Sequence, residues 1–213
     1  MTNCLLPKIT AYTANTPNGV KVTIALEALG LSRGSDYELK ILDLKARDQK
    51  QPDYLAVNPN GRIPAIVHHT DGRDIRVFES GAVLLYLAET FGGLLPKDPA
   101  ARIEAIAWTY FQTGGIGPNM GQAGYLKRQG DRDGYERFNK ESHRLVSVME
   151  GVLSGAEYLA GGAFSIADIM NFGWLDRAPS YMDFDLSPYP GVRAWLARIH
   201  ARADVQRGLA VFE

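Results

Sequence analysis

Three short stretches of this sequence carry residue types that could do chemistry together. At residues 62–65 a proline, Pro64, stands directly before a β-prone run. A cis bond there would turn the chain sharply and leave the Ile63 N–H and C=O outside any strand ladder, where they could pair with an extended peptide. Glu79 and Ser80 open a helix-like segment. First-turn N–H groups and a hydroxyl suit a carboxylate and the Glu79 side chain suits an ammonium group, so one zwitterionic amino-acid head would satisfy both. The third stretch is the turn Thr16-Pro17-Asn18-Gly19. A chain with its own redox chemistry would place paired cysteines at such a turn. Here Thr16 and Asn18 can instead stabilise a thiolate that arrives on a ligand, and a thiol with a free pKa near ~8.5 falls to roughly 3.5–7.5 in such settings. Taken singly, the three stretches also read as a trans proline opening an edge strand, a helix cap and a solvated turn capped by Asn18. Their coincidence along one sheet edge favours the ligand.

The elements that must position these groups follow from periodicity. Residues 9–12 are a short β-prone run ending in the turn formers of 14–19, and from Val20 apolar residues recur at helical spacing until Gly30. Residues 37–44 alternate as a half-buried strand, so the crossover rule predicts a parallel βαβ unit. Residues 65–69 and 75–78 read as strands joined across Asp71-Gly72, a tight antiparallel hairpin, and a helix follows from Ser80. The order βαβ then ββα is the thioredoxin-like arrangement. A Gly- and Pro-rich segment, 92–99, separates this first domain, 1–91, from 100–213, which reads as helix throughout with a short irregular end beyond Asp204. The fold class expected is therefore α/β followed by an all-α domain.

Bulk properties narrow the function. The chain has 213 residues and is 46% hydrophobic, enough for a full core. With 23 Lys and Arg against 24 Asp and Glu, the net charge of -1 supplies no field for nucleic acid or anionic membrane. The single cysteine, Cys4, forms no intramolecular disulfide and suits a reducing compartment, which points to the cytoplasm. Residues 1–8 lack the apolar run of a secretory signal, and the apolar stretch 82–88 is too short for a membrane span.

Beyond these stretches, the sequence carries further motifs: Asn58-Pro59-Asn60-Gly61-Arg62-Ile63-Pro64, Phe78-Glu79-Ser80-Gly81-Ala82, Gly114-Gly115-Ile116-Gly117-Pro118 with Gln122, and Phe164-Ser165-Ile166-Ala167-Asp168. Together with Thr16-Pro17-Asn18-Gly19-Val20-Lys21, in this order and over essentially the whole chain, they resemble the cytosolic glutathione transferases, and within them the nu class and the fungal nitrogen-regulator-like group. The resemblance implies that glutathione is the bound co-substrate, with Asn18 and Thr16 at its sulfur. It implies that Ile63, before Pro64, pairs with the cysteinyl backbone, that Glu79 and Ser80 hold the γ-glutamyl end, and that Gln49 and Arg62 lie near the glycyl end or backbone. Arg137 resembles a helical-domain arginine that approaches glutathione. A homodimer is implied, acting on a disulfide or, more weakly, a small electrophile, because the Thr-Pro-Asn turn accompanies glutathione-dependent disulfide reduction in this class. The alternative from another class is a non-catalytic protein of the same fold that binds a regulatory partner. A dithiol reductase is excluded by the lone cysteine.

Other features read as architecture. Tyr12 is a rival catalytic phenol, but its strand position favours packing. Ser165 and Asp168 form a capping-box pair, and Pro118 should kink or end its helix. Trp108, Phe111, Tyr125 and Trp174 suit either a substrate pocket or the core. His68, His69, His143 and His200 lack metal-ligand spacing, so no metal is expected.

Overall fold

The structure is a computed structural model that describes residues 8–213, so Cys4 lies outside the described residues. Strand β1 (Ile9–Thr13) is buried along nearly its whole length because it has a neighbour on each side. It pairs in parallel with β2 (Tyr37–Ile41) and antiparallel with β3 (Ala65–His69), which pairs antiparallel with β4 (Asp74–Phe78), giving the sheet order β2-β1-β3-β4. The predicted crossover and hairpin are both present. Strand β2 stops short of the expected residue 44 because the Asp43 carboxylate accepts the Lys45 and Ala46 amides and turns the chain. The polar stretch after it holds a 3₁₀ turn (Asp48–Lys50) and one helical turn, α2 (Pro52–Leu55).

Helix α1 (Gly19–Ala28) lies between β1 and β2 in the chain and is buried from Gly19 to Leu26, including its polar members Lys21 and Thr23. Gly19 is required: a Cβ there would stand 1.9 Å from the Ala14 carbonyl oxygen. Helix α3 (Ser80–Phe91) follows β4. Besides the 3₁₀ turn and α2, the thioredoxin-like unit contains one longer element that the sequence did not announce.

That element is the C-terminal helix. Residues beyond Asp204 are not irregular but form α9 (Ala203–Ala210), which packs on α1, and Gly208 allows the approach because a Cβ would meet the Ile24 backbone at 2.7 Å. Arg207 Nε donates to Glu27 Oε2 at 2.7 Å, and Glu27 Oε1 accepts from the Tyr37 hydroxyl at 2.6 Å. The chain therefore divides into the described residues up to Gly93 with Ala203–Glu213, and Leu94–Arg202, so the last residues belong to the first unit and not to the helical one.

The second unit is helical throughout, with α4 (Pro99–Phe111), α5 (Gly117–Gln129), α6 (Arg132–Leu153), α7 (Ile166–Met182) and α8 (Pro190–His200). Pro118 stands in the first turn of α5, directly after a π-helical turn, Gln112–Ile116, that separates it from α4, and Asn119 Nδ2 donates to the Gly115 carbonyl at 2.9 Å. The predicted capping box opens α7, most of which is buried as the core of this unit. Asp168 also accepts from Trp195 Nε1 at 2.9 Å and from the Leu159 amide at 3.0 Å, joining α7 to α8. Burial pushes its carboxyl up to about 6 against the pull of these donors. Trp108 is core, and Tyr125 stands half-exposed.

Candidate active site

The three predicted stretches meet in the first unit. A cleft there is lined by Asn18, Asn58, Asn60, Arg62, Ile63, Pro64, Glu79 and Ser80. Its first wall is the start of α1. Asn18 occupies the N-cap position without making a side-chain cap. Thr16 does that work instead, its Oγ1 accepting the Gly19 amide at 3.0 Å. The Asn18 side chain is held from below by Lys21, whose Nζ donates to Oδ1 at 2.8 Å. Thr16 itself does not line the cleft.

The second wall is the loop before β3. Buried Asn58 organises it: Oδ1 accepts the Asn60 amide at 2.9 Å and Nδ2 donates to the Arg62 carbonyl at 2.6 Å, which also accepts from the Tyr54 hydroxyl. With that carbonyl fixed, the chain enters a cis Ile63–Pro64 bond, and the Ile63 N–H and C=O make no hydrogen bond among the described residues. The extended-peptide partner expected at this point has its two groups in place.

The third wall is the start of α3. Glu79 stands at φ 69°, in left-handed territory for a non-glycine residue, and no side chain caps the helix, so its first amides keep their positive end toward the cleft. Asn60 Nδ2 donates to Glu79 Oε1 at 3.2 Å. Ser80 Oγ accepts from Lys21 Nζ at 3.4 Å. Lys21 thus lies under both ends of the cleft, fully buried, and burial pulls its ammonium down to about 7 while nearby Glu79 raises it.

Two predicted residues fall elsewhere. Gln49 donates from Nε2 to the Leu44 carbonyl at 3.4 Å, and its Oε1 is buried without a partner and not in the cleft. Arg137 lies on α6 of the second unit, lining a cavity with Asn119, Phe138, Lys140, Glu141 and Arg144. Tyr12 packs against Tyr54 with ring centroids 5.4 Å apart and is not a cleft residue. Sequence reasoning gave Asn58, Asn60 and Lys21 no role, although all three stand inside the quoted motifs. The signal for Lys21 was a cation between two valines, Val20 and Val22, at the start of a mostly apolar helix. Among the described residues no group of His, Cys, Asp and Glu could hold a metal ion, and no helix is long and apolar enough to cross a membrane.

Comparisons with known proteins show the family. The family models for the glutathione S-transferase N-terminal domain and C-terminal domain match residues 7–89 and 103–203. The chain is 38% identical over 207 residues to the disulfide-bond oxidoreductase YfcG of Escherichia coli, covering 94% of each protein. A glutathione transferase from Burkholderia graminis, solved with two glutathione molecules bound per subunit, superposes with a TM-score of 0.88 at 40% identity, over 95% of this chain and 87% of that one. One from Pseudomonas putida, solved with one glutathione disulfide bound per subunit, gives a TM-score of 0.88 at 38% identity, over 96% and 91%. With both domain models matched and a relative 38% identical over 94% of each chain, the chain belongs to the glutathione S-transferase family.

Proposed function

We propose that the protein binds glutathione in this cleft, ionises its thiol, and uses the thiolate chiefly to reduce disulfides and more weakly to attack small electrophiles. The observation that carries this reading is the convergence of Asn18, Ile63, Glu79 and Ser80 on one cleft of the first unit. Ile63 pairs with the cysteinyl backbone through its N–H and C=O. Glu79 takes the γ-glutamyl ammonium, while Ser80 and the uncapped amides of α3 take the carboxylate. Asn18 faces the sulfur, with Thr16 holding the turn that presents it. Arg62, which lines the cleft, serves the glycyl end.

In the reaction, the thiolate attacks one sulfur of the substrate disulfide, forming a mixed disulfide and expelling the other sulfur as a thiolate that takes up a proton. A second glutathione thiolate then attacks the glutathione sulfur of the mixed disulfide, releasing glutathione disulfide and the second substrate thiol. Two electrons pass from two glutathiones to one disulfide. No cysteine of the chain takes part. The working unit is a homodimer in the cytoplasm. Ile103 and Tyr110, seven residues apart on α4, stand 62% and 73% exposed and give one helix face an apolar surface that a second copy would cover. The activity is tested with purified protein, glutathione and hydroxyethyl disulfide: turnover above the uncatalysed rate supports the reading, and none removes it. Light scattering tests the dimer.

A further inference from the structure

Lys21 is fully buried, yet the proposed chemistry gives it no contact with the ligand. Its place in the helix explains what it touches. It follows Asn18 by three residues, so the two side chains share one face at the start of α1, and it reaches across to Ser80 on α3. An ammonium group can only donate. The end of the Asn18 amide that meets it at 2.8 Å is therefore Oδ1, which turns the NH₂ end away from Lys21. The same logic applies to Ser80, whose oxygen accepts from Nζ at 3.4 Å and whose hydroxyl proton must then point elsewhere. Both side chains line the cleft. An acceptor atom in the cleft thus meets donors at both ends, while the carboxylate of Glu79, which acts electrostatically on Lys21, sits beside Ser80.

We propose that Lys21 is a positioning residue that sets the donor polarity of the cleft, so that a single buried cation orients Asn18 toward a thiolate and Ser80 toward a carboxylate of the same ligand. The inference rests on the glutathione reading above and adds to it a reason for burying a charge in the stretch of α1 that is buried from Gly19 to Leu26. A neutral side chain at this position would remove the charged donor that holds Asn18 Oδ1, and an oxygen turned toward the sulfur instead would repel the thiolate.

The test compares the full-length wild type with Lys21→Met and Lys21→Arg. Two quantities are read: glutathione and S-methylglutathione affinities by calorimetry, and the pKa of the bound thiol from thiolate ultraviolet absorbance across pH. In Lys21→Met the thiol pKa should rise by about one unit, and glutathione affinity should fall about tenfold, as expected for lost charge-assisted hydrogen bonds. S-methylglutathione, which has no ionisable sulfur, should lose less. Lys21→Arg, which keeps the donors, should recover part of the thiol shift. A void or a misfolded site would weaken both ligands equally and give no such split. Should Lys21→Met fail to fold, Lys21→Gln is read in the same assays. A wild type that binds glutathione and a folded variant with the same thiol pKa and affinities would overturn this inference alone. A wild type that binds no glutathione would overturn the functional reading and this inference with it.

Discussion

Two buried charges, one in each unit, show how differently the same expense can be used. Asp168 in the helical unit is surrounded by partners that belong to the protein: the Ser165 amide at 2.9 Å, the Leu159 amide at 3.0 Å and Trp195 Nε1 at 2.9 Å. Every partner is architectural, and together they tie α7 to α8. Lys21 in the first unit is just as buried, but the partners it holds, Asn18 and Ser80, line a cleft. A buried charge whose partners face inward specifies packing. One whose partners face a cleft specifies what the cleft binds.

The comparison can be broken by substitution, and the largest effect should come from the helical unit. Asp168→Ala leaves two amides and an indole N–H buried without acceptors, and should cost about 3 to 5 kcal/mol in denaturant unfolding. A loss under about 1 kcal/mol would remove the architectural reading. Next, Asn18→Ala should lower turnover with hydroxyethyl disulfide about 100-fold while changing glutathione affinity far less, since a donor aimed at developing sulfur charge matters most in the reacting state. Equal losses in kcat and affinity would contradict that role. Ser80→Ala should raise the glutathione dissociation constant about tenfold by calorimetry with a smaller change in turnover.

The smallest expected effect is on stability, and its sign is the point. Lys21→Met replaces an expensive buried cation with an apolar chain of similar length, and should stabilise the fold at pH 7 by about 1 kcal/mol even as it damages the site. The pH dependence runs in opposite directions for the two charges. Lys21 falls from 10.5 to about 7, so its favourable contribution is complete above 10.5 and is lost as pH falls through about 7. Asp168 rises from 3.8 to about 6, so its contribution is complete below 3.8 and is lost as pH rises through about 6. Denaturation midpoints across pH should therefore rise less steeply between pH 7 and 10.5 in Lys21→Met than in the wild type.

What could be read from the sequence was whatever a few neighbouring residues decide. The turn at Thr16 to Gly19, the Asp-Gly hairpin, the Ser165–Asp168 capping box and the cis Ile63–Pro64 bond are local events with local signals. What escaped depends on partners far along the chain. Helix α9 has only eight residues, and its place depends on the close approach of Gly208 to Ile24 of α1, far back in the chain. The burial of Lys21 needs α1 to be covered, which one helix cannot announce. Gln49 was placed near the ligand by the resemblance alone, and its amide donates to the Leu44 carbonyl, a contact that loop composition does not announce. Asn58 was visible in its motif but not its work, which is to fix the carbonyl just before the bond that frees Ile63.

The account stands on the claim that the ligand brings the sulfur and the first unit ionises it. Titrating the thiol of glutathione bound to the wild-type protein is the direct measurement. The account predicts a pKa well below the ~8.5 of a free thiol, within roughly 3.5–7.5. A bound thiol that titrates like the free one, or no binding of glutathione at all, would contradict it.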